Sequence, residues 1–189
     1  MIKRIVVLAA AALVAAGGLA GPAAAANDKP SLCIYKNSYK IKRPMLVQLV
    51  KSGFQTRTSD EQAAFLTLGR IVTACQAQYG WGDKRRNLAL RVMSGRVLLE
   101  DAAYHGKAVG LTEEMISGYV ASLDPAGRAV YTGGSIGPDQ HRAAFEHLRK
   151  SGMAVDTMSP DDIRRVAELM AEGTSGAIMM EDADAAYGR

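Results

Sequence analysis

Arg96 and Glu100 stand four residues apart in a segment whose apolar positions recur every three to four residues, so both side chains fall on one helix face among Met93, Val97 and Tyr104. An ionised carboxylate inside an apolar arc is costly unless a cation binds it, and a guanidinium one turn away can do so bidentately. The expected role is a structural ion pair that fixes how neighbouring helices dock. The alternative role is chemical. A carboxyl in a largely apolar cleft, near Tyr104 and Trp81, would hold its proton and deliver it to a leaving group, as glycosidic cleavage requires. On that alternative Glu100 is the general acid of a cell-wall hydrolase or lyase.

A second constellation runs from Cys33 to Arg43, where Tyr35 and Tyr39 interleave with Lys36, Lys40, Lys42 and Arg43. Cations beside aromatic rings suit an anionic glycan, a lipid headgroup surface or an acidic envelope protein. These six residues are the expected binding residues, against the plainer account of a solvated arm. Charge is uneven along the chain: 29–59 holds seven bases and no acid, whereas 156–189 holds eight acids and three bases. The two ends are therefore expected to attract each other, with the C-terminal helices docking near the arm.

Other chemistry is faint. There is no dinucleotide-binding glycine motif, no P-loop, no His-Glu-x-x-His and no calcium loop. The three histidines, His105, His141 and His147, include no pair separated by three or four residues, and no metal or cofactor is expected. His141 falls on a stripe with Phe145 and Leu148, and His147 reads as a surface residue. The acidic run Glu181, Asp182 and Asp184 reads as a solvated face. Nine methionines loosely fit a third possibility, a soluble carrier of a small apolar ligand in a helix bundle.

The first 26 residues have the layout of a secretory leader: Lys3 and Arg4, an apolar run from Ile5 to Ala16, then Ala24, Ala25 and Ala26 before polar Asn27. Cleavage after Ala26 is expected, with no stable membrane span left afterwards, because Gly17, Gly18, Gly21 and Pro22 make a retained anchor a poor helix. The expected product is periplasmic or secreted. It carries 21 basic and 19 acidic residues, too near balance for a nucleic-acid binder. An exported chain meets an oxidising compartment, and its two cysteines, Cys33 and Cys75, lack the spacing of a zinc or thiol-redox motif. A structural disulfide is expected.

These residues must be positioned by helices, since the apolar spacing is helical nearly throughout. The expected fold is all-α: a bundle of five to six helices stapled by one disulfide, with a basic arm at 27–58 continuous with a helical domain at 59–189. One long helix should begin with Ser59 as N-cap and end before Gly80, along a seam of Phe65, Leu68, Val72, Cys75 and Tyr79. A second should run from Asp83 to His105, central and apolar on more than one side. Shorter helices are expected at 44–51, 112–123, 138–151 and 159–172, with a final one at 177–186. Trp81, between two glycines, is expected to pack back as a lid on the core. The stretch from Tyr131 to Pro138 is the expected mobile loop.

As a whole the sequence points to an exported, non-catalytic binding or interaction module of the cell envelope.

Overall fold

The computed structural model describes residues 29–134 and 136–189, so the expected leader lies outside the described residues. Among them the fold is all-α, with eight α-helices and no strand. They are α1 (Cys33–Asn37), α2 (Arg43–Lys51), α3 (Ser59–Tyr79), α4 (Asp83–Gly106), α5 (Glu113–Ser122), α6 (Pro125–Gly133), α7 (Pro138–Lys150) and α8 (Pro160–Tyr187).

Local chemistry starts and stops these helices. The N-cap of α3 is Thr58, one residue ahead of the expected Ser59: its hydroxyl accepts from the Glu61 backbone N–H at 3.2 Å while the Glu61 carboxylate accepts from the Thr58 N–H at 3.1 Å. Gly80 ends the helix in the left-handed region at φ 62°. Asp124 and Ser159 cap α6 and α8 with proline following at N1, so the cap and proline signal at Asp124-Pro125 marks a helix outside the expected set.

Two hydrophobic cores share α4. One joins α4 to the arm, α2 and α3 around Ile34, Leu46, Leu49, Leu68, Cys75, Met93 and Val97. The other joins the C-terminal half of α4 to α5, α6, α7 and α8 around Leu99, Ile116, Leu148, Val166 and Ile178. This is the central, many-sided helix that the wide apolar arc predicts.

α8 departs from expectation by running unbroken through Gly173 and Gly176, where the sequence suggests two helices. These glycines are contact points rather than breaks. A Cβ on Gly176 would stand 2.8 Å from the Gly95 carbonyl oxygen, and one on Gly173 3.0 Å from the Ala102 Cβ. Burial against α4 outweighs their poor helix propensity, which costs about 1 kcal/mol each.

Cys33 and Cys75 form the expected disulfide, which ties α1 to α3 with their Cα atoms 5.9 Å apart. Closing a loop of 42 residues stabilises the fold by about 4 kcal/mol in the chain-entropy account. Trp81 is buried, stacked on Tyr79 at 5.6 Å and met edge-on by Tyr187 at 5.9 Å, so the end of α8 closes the lid that this tryptophan forms. The attraction between the chain ends also materialises: Lys29 and Ser31 both bind Asp184, and Lys51 binds Glu172.

Candidate functional site

α4 carries Arg96, Glu100, Asp101, Tyr104 and His105 along the side that faces α2, and between the two helices lies an open cleft of about 840 Å³. Pro44, Val47 and Tyr104 supply apolar walls, while Arg43, Gln48, Lys51, Glu100, Asp101 and His105 supply polar groups. α2 takes its place because Leu46, Val47 and Leu49 are buried, which leaves Arg43 and Lys51 to project from its two ends toward α4.

Glu100 is the hub at one end. Its Oε1 accepts a hydrogen bond from Arg96 Nε at 2.7 Å and another from the Tyr35 hydroxyl; its Oε2 lies 3.0 Å from Arg43 Nη2. Arg96 goes on to Glu113 at 2.7 Å, and Arg43 also donates to the Val97 carbonyl at 3.1 Å. The α4 pair is thus a partly buried network that draws in the arm and α5. Burial, followed by the hydrogen bond to Glu100, pushes the Tyr35 hydroxyl above its ordinary range. Burial pulls the Arg96 guanidinium down, and its bonds to Glu100 and Tyr35 outweigh that, so it is held charged.

The other end of the cleft holds a second network. Lys51 lies 2.9 Å from Asp101 and 2.7 Å from Glu172, and the Asp101 carboxylate, 8% exposed, also faces His105 Nε2 at 3.5 Å. Burial alone would lower the Lys51 ammonium; the two carboxylates reverse that and raise it. Opposite charges therefore meet inside the cleft, and the carboxylates lie behind the cations that bind them.

The residues expected to bind divide into two groups. Tyr35 and Arg43 turn inward to Glu100 and serve the fold. Lys36, Tyr39, Lys40 and Lys42 are exposed, Tyr39 to 78%, and Lys40 Nζ lies 5.9 Å from the centre of the Tyr39 ring. The arm presenting them is not floppy: Ile34 and Ile41 are buried on either side and the disulfide anchors its start.

Elsewhere the structure revises details. Phe65 is not on the core seam of α3, which runs through Glu61, Ala64, Leu68, Ile71 and Cys75; it is 43% exposed. Tyr104 is 76% exposed on the cleft rim, although the helical wheel places it in an apolar stripe. His147 is half-buried, with Nε2 3.1 Å from the Met115 carbonyl oxygen and its ring 5.5 Å from that of Tyr119, so it is no plain surface residue. Glu181 and Asp182 share Arg128 at 3.0 Å each, so the acidic run is ion-paired.

The run Gly133 to Gly137 reads Gly-Gly-Ser-Ile-Gly, a formal match to the Gly-x-Ser-x-Gly nucleophile turn. That turn needs a strand before the serine and a helix after it. Here helix α6 runs into Gly133 where a strand is needed, and Ser135 lies outside the described residues, so the context is wrong for a nucleophile. Among the described residues no group of three or more His, Cys, Asp or Glu side chains is arranged to hold a metal, and no helix is long and apolar enough to cross a membrane. The disulfide fits a chain that folds in an oxidising compartment. No family model, curated protein or solved structure matches the chain.

Proposed function

We propose that the protein is an exported, non-catalytic binding module of the cell envelope, which engages an anionic surface through its basic arm. The observation that carries this reading is the outward presentation of Tyr39, Lys40 and Lys42 on an arm whose own backbone is held by buried Ile34 and Ile41 and by the disulfide. A recognition surface held in place loses little conformational freedom on binding, which favours affinity. The leader-like first 26 residues and the disulfide support export to a periplasmic or extracellular location.

The test is charge reversal that spares the internal network. Lys40→Glu with Lys42→Glu is expected to abolish association with an envelope fraction at unchanged melting temperature. Retained association overturns the reading. Arg43 is left alone, because it holds Glu100.

One observation favours a second reading: the α2–α4 cleft places Glu100 beside a volume large enough for a sugar ring system. Glu100 as general acid would need a proton to give. Two guanidinium groups and a phenol hydroxyl already engage its two oxygens. Release of soluble sugar-peptide fragments from isolated sacculi by the wild type and not by Glu100→Gln would establish the catalytic reading; no release from either leaves Glu100 as architecture.

A further inference from the structure

α3 is an outer helix with an unusual exterior. From Gln62 to Gln78 it exposes ten side chains or glycines, and the single charge among them is Arg70. An exposed helix face ordinarily carries many charges, as α8 does with Asp161, Arg164, Arg165, Glu168, Glu181 and Asp182 exposed. α3 instead shows Leu66 at 56% and Phe65 at 43% exposure, then Gly69, Thr73 and Ala77 one turn apart.

This face is continuous with the arm. A shallow depression lined by Phe65, Leu66 and Gly69 shares Arg70 and Ala74 with a second, which shares Lys40 and Thr67 with a third, which includes Lys42. The cations Lys40, Lys42 and Arg70 thus line one flank of an apolar strip. Among the described residues no carboxylate forms an ion pair with any of the three, and Asp60 is the one acid lining these depressions.

We infer that the outer face of α3, together with Lys40, Lys42 and Arg70, lies flat on an anionic lipid bilayer, with Leu66 and Phe65 dipping among the acyl chains and the cations against lipid phosphates. The inference rests on the binding-module reading and names its surface. Two observations select a bilayer over other occupants. A second copy of the chain would bring its own Arg70, Lys40 and Lys42 to the same contact, where like charges repel. A fluid interface accepts protruding Leu and Phe tips without a matching pocket, and this strip is convex helix flanked by depressions rather than a groove. Cations with no internal carboxylate remain available to anionic headgroups, whose attraction adds to apolar insertion.

The test is co-sedimentation of the processed protein, residues 27–189, which holds every described element and both cores, with two kinds of vesicle: phosphatidylcholine mixed with phosphatidylglycerol, and phosphatidylcholine alone. Binding to the mixed vesicles that is lost at high salt and absent from phosphatidylcholine alone is the expected result. Lys40→Ala with Lys42→Ala should weaken it roughly tenfold or more, and Leu66→Ser should do likewise at unchanged melting temperature. Lys107→Ala with Lys150→Ala, exposed cations in the other half of the molecule, should leave it unchanged. No binding to either vesicle while the arm still captures an envelope component overturns the bilayer and spares the binding-module reading; loss of both overturns both. A dimer by light scattering that Leu66→Ser dissociates assigns the face to a second copy and also overturns the inference.

Discussion

Gly95 of α4 and Gly176 of α8 meet backbone to backbone: a Cβ on Gly95 would stand 2.3 Å from the Gly176 carbonyl oxygen and 2.6 Å from the Met180 backbone nitrogen. This approach holds the two longest helices together, and with them the two cores, because α4 belongs to both. It also sets which face of α4 remains for α2 and the cleft.

Gly95→Ala is therefore expected to be strongly destabilising, by about 3 kcal/mol or more, since the obstacle is backbone and cannot swing aside. Gly69→Ala is its control. A Cβ there meets nothing within 4 Å, and the helix gains about 0.5 to 1 kcal/mol from the better propensity of alanine. Denaturant unfolding of both variants checks the pair; equal effects would contradict the close contact.

Glu100→Gln keeps the shape of the side chain and removes the charge that Arg43 and Arg96 share. The groups are partly exposed, so solvent softens the loss, and about 1 to 2 kcal/mol of destabilisation is expected. An unchanged or raised melting temperature would count against a structural role and point to a carboxyl held at a cost for chemistry.

Reduction should add two hydrogens to the mass of the protein and lower its stability by about 4 kcal/mol, because the loop between Cys33 and Cys75 spans most of the arm and most of α3. Mass spectrometry before and after reduction, with a thermal melt of each form, checks both statements. Free thiols in the purified protein would contradict the first.

Acid should destabilise the fold. Hydrogen bonding from Ser31, with Lys29 adding to it, holds Asp184 below its ordinary 3.8, and the Arg57 backbone N–H holds Glu61 below its ordinary 4.5. A carboxyl depressed in the folded state contributes stability that is complete above its unfolded value and is lost as pH falls through the folded one. The melting temperature is thus expected to fall as pH drops below about 4.5. The raised Lys51 works in the opposite direction: its contribution is complete below 10.5 and is lost only as pH climbs through the raised value. A melting temperature that rises on acidification would contradict the assignment of Asp184 and Glu61.

Much of this architecture is written in local chemistry. Helix spacing, caps and the closing Gly80 place α3 and α4 to within a residue or two, and the pairing of Arg96 with Glu100 follows from their separation by one turn. What local patterns do not contain is partner geometry. Gly173 and Gly176 look like breaks until α4 is laid against them, and only the fold brings Tyr35, Arg43 and Glu113 to the Arg96–Glu100 pair from 17 to 65 residues away. The side of α3 is similar. Phe65 sits at seam spacing with Leu68 and Val72, but the arm and α2 cover the neighbouring stripe through Ala64, Leu68 and Ile71, so the aromatic ring is left facing out. Lys51 reaching both Asp101 and Glu172 is likewise invisible in sequence beyond the broad charge asymmetry of the chain ends.

The most direct measurement is the binding isotherm of the protein comprising residues 27–189 on isolated cell envelopes, taken at low and high salt beside Lys40→Glu with Lys42→Glu. The binding-module account predicts saturable sedimentation of the wild type that weakens with salt and is lost in the variant while its melting temperature is unchanged. Equal sedimentation of the two proteins, or none of the wild type at low salt, would contradict it.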